Sequence, residues 1–455
     1  MMRAARLAAT FPLSLLPLLS PLSAQAPAED ARVRQIVSAV SAQRLEGDLR
    51  KLVSFGTRHT ASDTVSPTRG IGAARRWLKA EFDRIAAACG GCLEVSYVGE
   101  VWTNQRLPRP TNVVNVVAVQ RGATDPGRYL VMSGHYDSRV SDVMNAADSA
   151  PGANDDGSGT VAVLEAARVL SRHRFHATIV YAALAGEEQG LNGGQTLARL
   201  ARNQGWRIAG VLNNDIVGNT RGADGIHEDT TVRVFSDGTP PTETEAERLR
   251  RRSTGGEVDG ASRQLARYVD RIAQRFVPRL DVWMIYRLDR FGRGGDHRAF
   301  ADEGFPAVRL SETHEHYDRQ HQNIRVENGV AYGDVLEGVD FPYLAKVTAL
   351  NAAALASLAW APGAPRNVRV TGAVRPAAVL SWQPPADSAN VVGYRVYWRR
   401  TDAPTWDQAA WAGTATTHTF SGLVIDNYFF GVASVSREGH ESPVVFPGAG
   451  GPGGN

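Results

Sequence analysis

Apolar and polar positions follow two different rhythms along this chain. Between Thr68 and Ala88, the residues Ile71, Ala74, Leu78, Phe82 and Ile85 recur at helical spacing, which predicts a helix with one apolar face. Five short apolar runs follow, at 113–119, 129–133, 178–185, 211–216 and 307–310, and these predict buried strands. Helical patterns over 158–170, 195–202 and 262–276 are interleaved with them. Strands alternating with helices predict an α/β fold, a mixed and largely parallel sheet flanked by helices. Residues 27–50 read as a leader helix, and the charged stretch 240–260 as a surface excursion.

The rhythm changes at Ala361-Pro362-Gly363-Ala364-Pro365, a linker signal. Beyond it the apolar runs are short, at 367–371, 379–382, 393–399, 417–420 and 428–436, and they predict a small all-β sandwich. Trp382 is the candidate centre of its core, and Leu423 followed by Tyr428 resembles a tyrosine corner.

A length of 455 residues requires more than one core. At the start, Arg3 and Arg6 precede an apolar run over residues 7–22 that is broken by Pro12, Pro17 and Pro21. Ala24-Gln25-Ala26 then offers small residues at cleavage spacing, the layout of a signal peptide. The expected division is a signal peptide at 1–26, an α/β domain at 27–360, a sandwich at 361–447 and a disordered tail at 448–455. The expected location is secreted or periplasmic, with no membrane span. The two cysteines, Cys89 and Cys92, suit a local disulfide in such a compartment. A net charge of +3 without a basic stripe excludes nucleic acid as an expected partner.

Four motifs end or follow predicted strands, where open α/β sheets build their sites. In Gly134-His135-Tyr136-Asp137-Ser138, residues two apart in extended chain share a face, so Asp137 can orient the His135 imidazole. In Gly152-Ala153-Asn154-Asp155-Asp156-Gly157-Ser158-Gly159, adjacent acids framed by glycines precede a helix, and a carboxylate there can bridge two cations. In Gly186-Glu187-Glu188-Gln189-Gly190-Leu191, two acids follow a buried strand and repel each other unless a cation or proton intervenes. One can ligate a metal while the other moves a proton. Asn213-Asn214-Asp215-Ile216-Val217-Gly218 places one more acid at a strand end. A set of one His and several carboxylates suits zinc. A second His is expected within 312–323, where spacing does not choose among His314, His316 and His321.

The ordered set Gly-His-x-Asp-Ser, Gly-Ala-Asn-Asp-Asp-Gly-Ser-Gly, Gly-Glu-Glu-x-Gly-Leu and Asn-x-Asp-x-x-Gly resembles the secreted bacterial di-zinc aminopeptidases over roughly residues 40–358. The C-terminal segment is similar to a fibronectin type III domain. The resemblance implies two Zn2+ ions: His135 and Asp215 on one, Asp155 bridging both, Glu188 and a late His on the other. It also implies Glu187 as general base, Asp137 as the residue orienting His135, and His321 as the late ligand, in the loop 319–329. Gln320 stands before this His where the family often has Tyr, and Asn323 stands where an acid is expected. Asp296-His297 resembles a further family motif and is read as supporting rather than ligating.

The implied activity is removal of N-terminal residues from peptides with a free N-terminus. The alternatives are a carboxypeptidase or dipeptidase on the same fold, a one-zinc glutaminyl cyclase, and an inactive binding protein. For the sandwich, carbohydrate or protein contact is a further expectation.

Overall fold

The computed structural model describes residues 27–447. The signal peptide expected at 1–26 and the tail expected at 448–455 lie outside the described residues. Two short helices open the described chain, α1 (Ala31–Ala39) and α2 (Ala42–Val53). The single leader helix expected over 27–50 is therefore broken. Ser41 is extended and its side chain accepts the Arg44 N–H, capping α2. Neither helix is a loose leader. Val33, Ile36, Leu45, Leu49 and Leu52 are buried in the main core.

After α3 (Gly70–Ala88), Cys89 and Cys92 form a disulfide across Gly90 and Gly91. Strands β1 (Glu94–Asn104), β2 (Leu107–Gln120) and β3 (Asp125–His135) follow, then α4 (Gly159–Leu170), β4 (Ala177–Leu184), α5 (Asn192–Asn203) and β5 (Arg207–Asn214). Next come β6 (Thr231–Ser236), α6 (Glu245–Thr254), α7 (Ala261–Phe276), β7 (Asp281–Ile285), α8 (His297–Asp302) and β8 (Ala307–Glu312). A small hairpin, β9 (Arg325–Glu327) and β10 (Val330–Tyr332), leads to α9 (Phe341–Trp360).

Strands β1 to β8 form one sheet in the order β1-β2-β4-β3-β5-β8-β6-β7. Its centre, β4-β3-β5-β8, is parallel, while β2 joins β4 and β6 joins β8 in antiparallel fashion. Every residue of β4 and β8 is buried, as expected for strands covered on both faces. The parallel centre brings the carboxyl ends of β3, β4, β5 and β8 to one edge, and the motif loops leave from there. Helix α9 is buried nearly all round and packs on α1, α2, α4 and α7. No helix among the described residues is long and apolar enough to cross a membrane.

The C-terminal strands are β11 (Arg366–Thr371), β12 (Ala377–Gln383), β13 (Val391–Arg400), β14 (Gln408–Gly413), β15 (Thr417–Ser421) and β16 (Tyr428–Ser436). They form two antiparallel sheets, β11-β12-β15 and β14-β13-β16. Trp382 meets Tyr394 edge-on at 5.4 Å in the core between them. Leu423 and Tyr428 pack against this core.

The sandwich is joined to the α/β domain by buried polar contacts. Arg399 Nη2 donates to both oxygens of Asp259 at 2.8 Å, and Arg267 donates to the same carboxylate at 2.6 Å. Trp406 Nε1 donates to Gln264 Oε1 at 2.8 Å, and Tyr286 Oη donates to the Pro404 carbonyl at 3.1 Å. The stretch 240–260, expected as a surface excursion, is one only in part. Helix α6 has no buried residue, but Gly255 and Gly256 lie under Phe429 and Phe446, and Asp259 is fully buried.

Candidate metal centre

Each motif loop is bent by local chemistry before it contributes a ligand. Gly152 takes φ +49°, and a Cβ there would stand 2.5 Å from the Ser138 Cβ. Only glycine allows this turn. The turn delivers Asp155 and Asp156 just ahead of α4. Asp156 points inward and accepts the backbone N–H groups of His135 (2.9 Å), Gly159 (3.0 Å) and Ile216 (3.2 Å). One carboxylate thereby ties three motif loops together.

Asp155 points the other way, into the site. Its Oδ1 lies 3.2 Å from His135 Nε2, and its Oδ2 lies 2.9 Å from His321 Nε2. Around each histidine stands a further group of acids. His135, Glu187 and Asp215 bring one ligand atom each within 4.8 Å of one another, and so do Asp155, Glu188 and His321. Glu188 Oε1 is 3.1 Å from His321 Nε2; Asp215 Oδ1 and Glu187 Oε2 are each 4.0 Å from His135 Nε2.

Asp137 lies against the His135 ring and also holds a second loop. The His135 Nδ1 hydrogen bond, 3.2 Å, is to the Asp137 backbone carbonyl, while its carboxylate stays 3.5 Å away. That carboxylate accepts the backbone N–H groups of Glu187 (3.2 Å) and Glu188 (3.1 Å). It holds the double-glutamate loop, and Asp137 meets the His135 ring with both its carbonyl and its carboxylate.

Of the late histidines, His321 alone joins the ligand groups found among the described residues. His314 is 3.9 Å from Asp224, and His316 lines a small cavity behind Asp155 with Glu312 and Asp334. His321 reaches the site from a left-handed backbone position, φ +55°. Gln320 accepts Arg293 Nη1 at 3.0 Å and donates to Glu315 at 3.1 Å. Asn323 donates to Asp148 at 3.3 Å and accepts Ser141 N–H at 3.4 Å. Both side chains therefore anchor the loop that carries His321. Asp296 is fully buried beside the site, and burial pushes its carboxyl up to about 7. His297 Nε2 is bonded to the Leu288 carbonyl at 2.8 Å, away from the ligand groups.

Sequence reasoning passed over two residues. Asp334 accepts the N–H of Asn154 and, at 2.7 Å, of Asp155, so it aims the central carboxylate. Arg309, fully buried, forms an ion pair with Asp215 Oδ1 at 2.9 Å and donates to the Asp215 backbone carbonyl at 3.3 Å. Neither sits in a motif. An arginine in a run otherwise read as a buried strand was the available signal for Arg309.

The cluster carries more negative charge than its surroundings relieve. Burial, reinforced by Asp215 and Glu188, pushes the Glu187 carboxyl well above its usual range. Burial opposes charge on His321, yet Glu188 and Asp155 raise its pKa to about 10. Both effects are the response of a buried anionic pocket that favours a cation. The donor set fits zinc. His135 Nε2 and Glu188 Oε1 are buried without a hydrogen-bond partner, as ligand atoms aimed at a metal are. Separations of 2.9–3.2 Å between donors around Asp155 are close to the edge of a tetrahedron with zinc–ligand bonds of ~2.0–2.1 Å.

An open α/β sheet with acid and histidine ligand groups at its carboxyl edge defines a metallopeptidase framework. The chain belongs to peptidase family M28: residues 115–335 match Peptidase family M28, and residues 363–447 match the fibronectin type III domain. It is 45% identical over 425 residues to a probable zinc metalloprotease of Leptosphaeria maculans, covering 92% of this chain and 98% of that one. It is 44% identical over 424 residues to a probable zinc metalloprotease of Pyrenophora teres f. teres, covering 92% and 87%. Among solved structures, the Legionella pneumophila LapA aminopeptidase superposes with a TM-score of 0.54 at 20% identity, covering 76% of this chain and 79% of that one. The curated relatives are thus fungal, while this shared fold is also seen in a bacterial enzyme.

Proposed function

We propose that this protein is a secreted aminopeptidase that uses two zinc ions to hydrolyse the N-terminal peptide bond. The observation that carries the reading is the placement of Asp155, whose two oxygens face two different histidines, each within its own group of acids. His135 and Asp215 would hold one ion and Glu188 and His321 the other, with Asp155 between them. Bound there, the ions would supply Lewis acidity toward a peptide carbonyl and an attacking water.

The chain's own residues supply the rest. Glu187 stands at the edge of the cluster, its Oε2 4.0 Å from His135 Nε2, placed to take a proton from water and return it to the leaving amine. Asp137 fixes the loop that carries Glu187. The pairing of the arginines beside the site favours the amino end of a peptide over the carboxyl end. Three nearby arginines are already committed: Arg309 of β8 to Asp215 and Asp289, Arg290 to Asp289, and Arg293 to Glu315. A clamp for a C-terminal carboxylate would need a free guanidinium, and these three are paired.

The test is hydrolysis of aminoacyl-p-nitroanilides against N-blocked peptides, with and without chelator, alongside metal analysis of the purified protein. Turnover restricted to free-amine substrates and lost with chelator is the expected result. Release of C-terminal residues from N-blocked peptides would replace this reading with a carboxypeptidase.

A further inference from the structure

Strand β8 is buried along its length, yet its third residue is an arginine. Arg309 is 0% exposed, so its charge must be answered inside the protein. Two carboxylates answer it. Nη2 lies 2.9 Å from Asp215 Oδ1, and Nη1 lies 3.2 Å from both oxygens of Asp289. Asp289 in turn takes Arg290 Nε at 3.1 Å and stands 3.6 Å from His297 Nε2. Burial works against charge on Asp289, but Arg309, His297 and Arg290 outweigh it and hold the carboxyl below its usual range.

The other ligand group has no such partner. Among the described residues, no arginine or lysine forms an ion pair with Asp155 or Glu188. Arg58, the buried guanidinium on that side, spends its donors on the carbonyls of Tyr136, Pro151 and Gly152. The two ligand groups therefore differ in their buried cationic partners although their donor types are alike. A guanidinium ion-paired with the Asp215 carboxylate at 2.9 Å draws on its charge and repels a dication a few ångströms away.

We propose that Arg309 makes the two metal positions unequal. The position built on His135 and Asp215 holds its divalent cation more weakly than the position built on Glu188 and His321, and Asp289 moderates the difference by sharing the arginine's charge. The inference rests on the two-metal reading above and adds an order of loading and release to it. Arg309 is a positioning residue, acting through Asp215.

The experiment titrates Zn2+ into chelator-stripped full-length protein against a competing chromophoric chelator, with circular dichroism verifying the fold of each variant. Wild type is expected to show two equivalents whose affinities differ by about tenfold or more, given the size of a charge–dication interaction at short range. Asp215→Asn is expected to remove the weaker equivalent. Arg309→Met should tighten the weaker equivalent, and Asp289→Asn should loosen it further, by leaving the arginine's charge undivided. The stronger equivalent should not move in either variant. A prop that serves only to hold shape would give the same sign in both variants. If both variants weaken the same equivalent, or if Asp289→Asn alone folds and leaves the weaker affinity unchanged, the proposal is overturned. Two indistinguishable equivalents in an active wild-type enzyme would sink this proposal and leave the peptidase reading intact, while absence of zinc binding would remove both.

Discussion

The carboxylate of Asp137 receives the backbone N–H of Glu188 at 3.1 Å, so the acid of the first motif positions the acids of the third. In Asp137→Asn one of the two acceptor oxygens becomes a donor facing an N–H group. Loss of such a supporting partner typically costs ~10–100-fold in activity or metal affinity. Steady-state kinetics and zinc titration of the variant are expected to show a loss in that range with the fold retained. Unchanged kinetics would mean that the double-glutamate loop holds itself.

Glu187→Gln preserves the size of the side chain and removes its ability to accept a proton. Loss of a general base typically costs ~100-fold to 10,000-fold in rate. The variant is expected to bind as much zinc as wild type and to lose turnover by that factor. Near-normal turnover would move the proton-transfer role to another residue.

Stripping the metal should weaken the fold as well as the activity, because the ligand cluster buries several carboxylates. A ligand at a thousandfold excess over its Kd stabilises the native state by ~4 kcal/mol. Calorimetric scans are expected to show a lower Tm after chelation and recovery on adding Zn2+. In Asp155→Asn, where the carboxylate between the histidines is gone, chelator should have much less effect.

Asp259 accepts arginines from both domains, Arg267 from α7 and Arg399 from β13. Removing one partner of a buried pair typically costs ~3–5 kcal/mol. Asp259→Asn is therefore expected to lower the denaturant midpoint markedly. A chain ending at residue 361 should be insoluble, since it uncovers Asp259, Gln264 and the apolar floor beneath Phe446. A soluble and active truncation would show the sandwich to be dispensable.

Acid should release the contact between Asp30 and His440. The two are 2.9 Å apart, and Asp30 also pairs with Arg32. Burial opposes its charge, but Arg32 and His440 hold the carboxyl below the usual range. The stability from this depressed group is present above the ordinary aspartate pKa of about 4 and is lost as pH falls through the folded value. Asp30→Asn should therefore lower the Tm at neutral pH and flatten its dependence on pH in the acid range. Identical pH profiles for wild type and variant would assign the acid sensitivity elsewhere.

The sequence made the catalytic half of the fold legible where burial leaves an apolar signature. Strands β3, β4, β5 and β8 are covered on both faces and read as continuous apolar runs, so the motifs at their ends were placed correctly on the sheet. Strand β1 is largely exposed, and β6 and β7 carry Arg233 and Asp281, so these edge elements lack that signature. Helix α9 escaped the periodicity argument for the opposite reason: buried nearly all round and rich in alanine, it has little polar face to contrast with an apolar one.

Within the site, ligands next to strand ends were readable and their supports were not. Choosing His321 over His314 and His316 depends on a left-handed turn at His321 itself, which no residue pattern announces. Arg309 reaches Asp215 across 94 positions and Asp334 reaches Asp155 across 179, so local spacing holds no trace of either pair.

The seam where Asp30 meets His440 also brings distant parts of the backbone together: a Cβ on Gly439 would stand only 2.5 Å from the Ala28 carbonyl. A peptide bridge long enough to run back along β16, where Glu441 pairs with Val435 and Val445 with Val432, would join residue 447 to residue 27 and close the polypeptide into a ring. New termini opened in an exposed loop such as the one before α6 would leave every ligand of the centre on an unbroken path, so a circularly permuted gene should still encode a working enzyme.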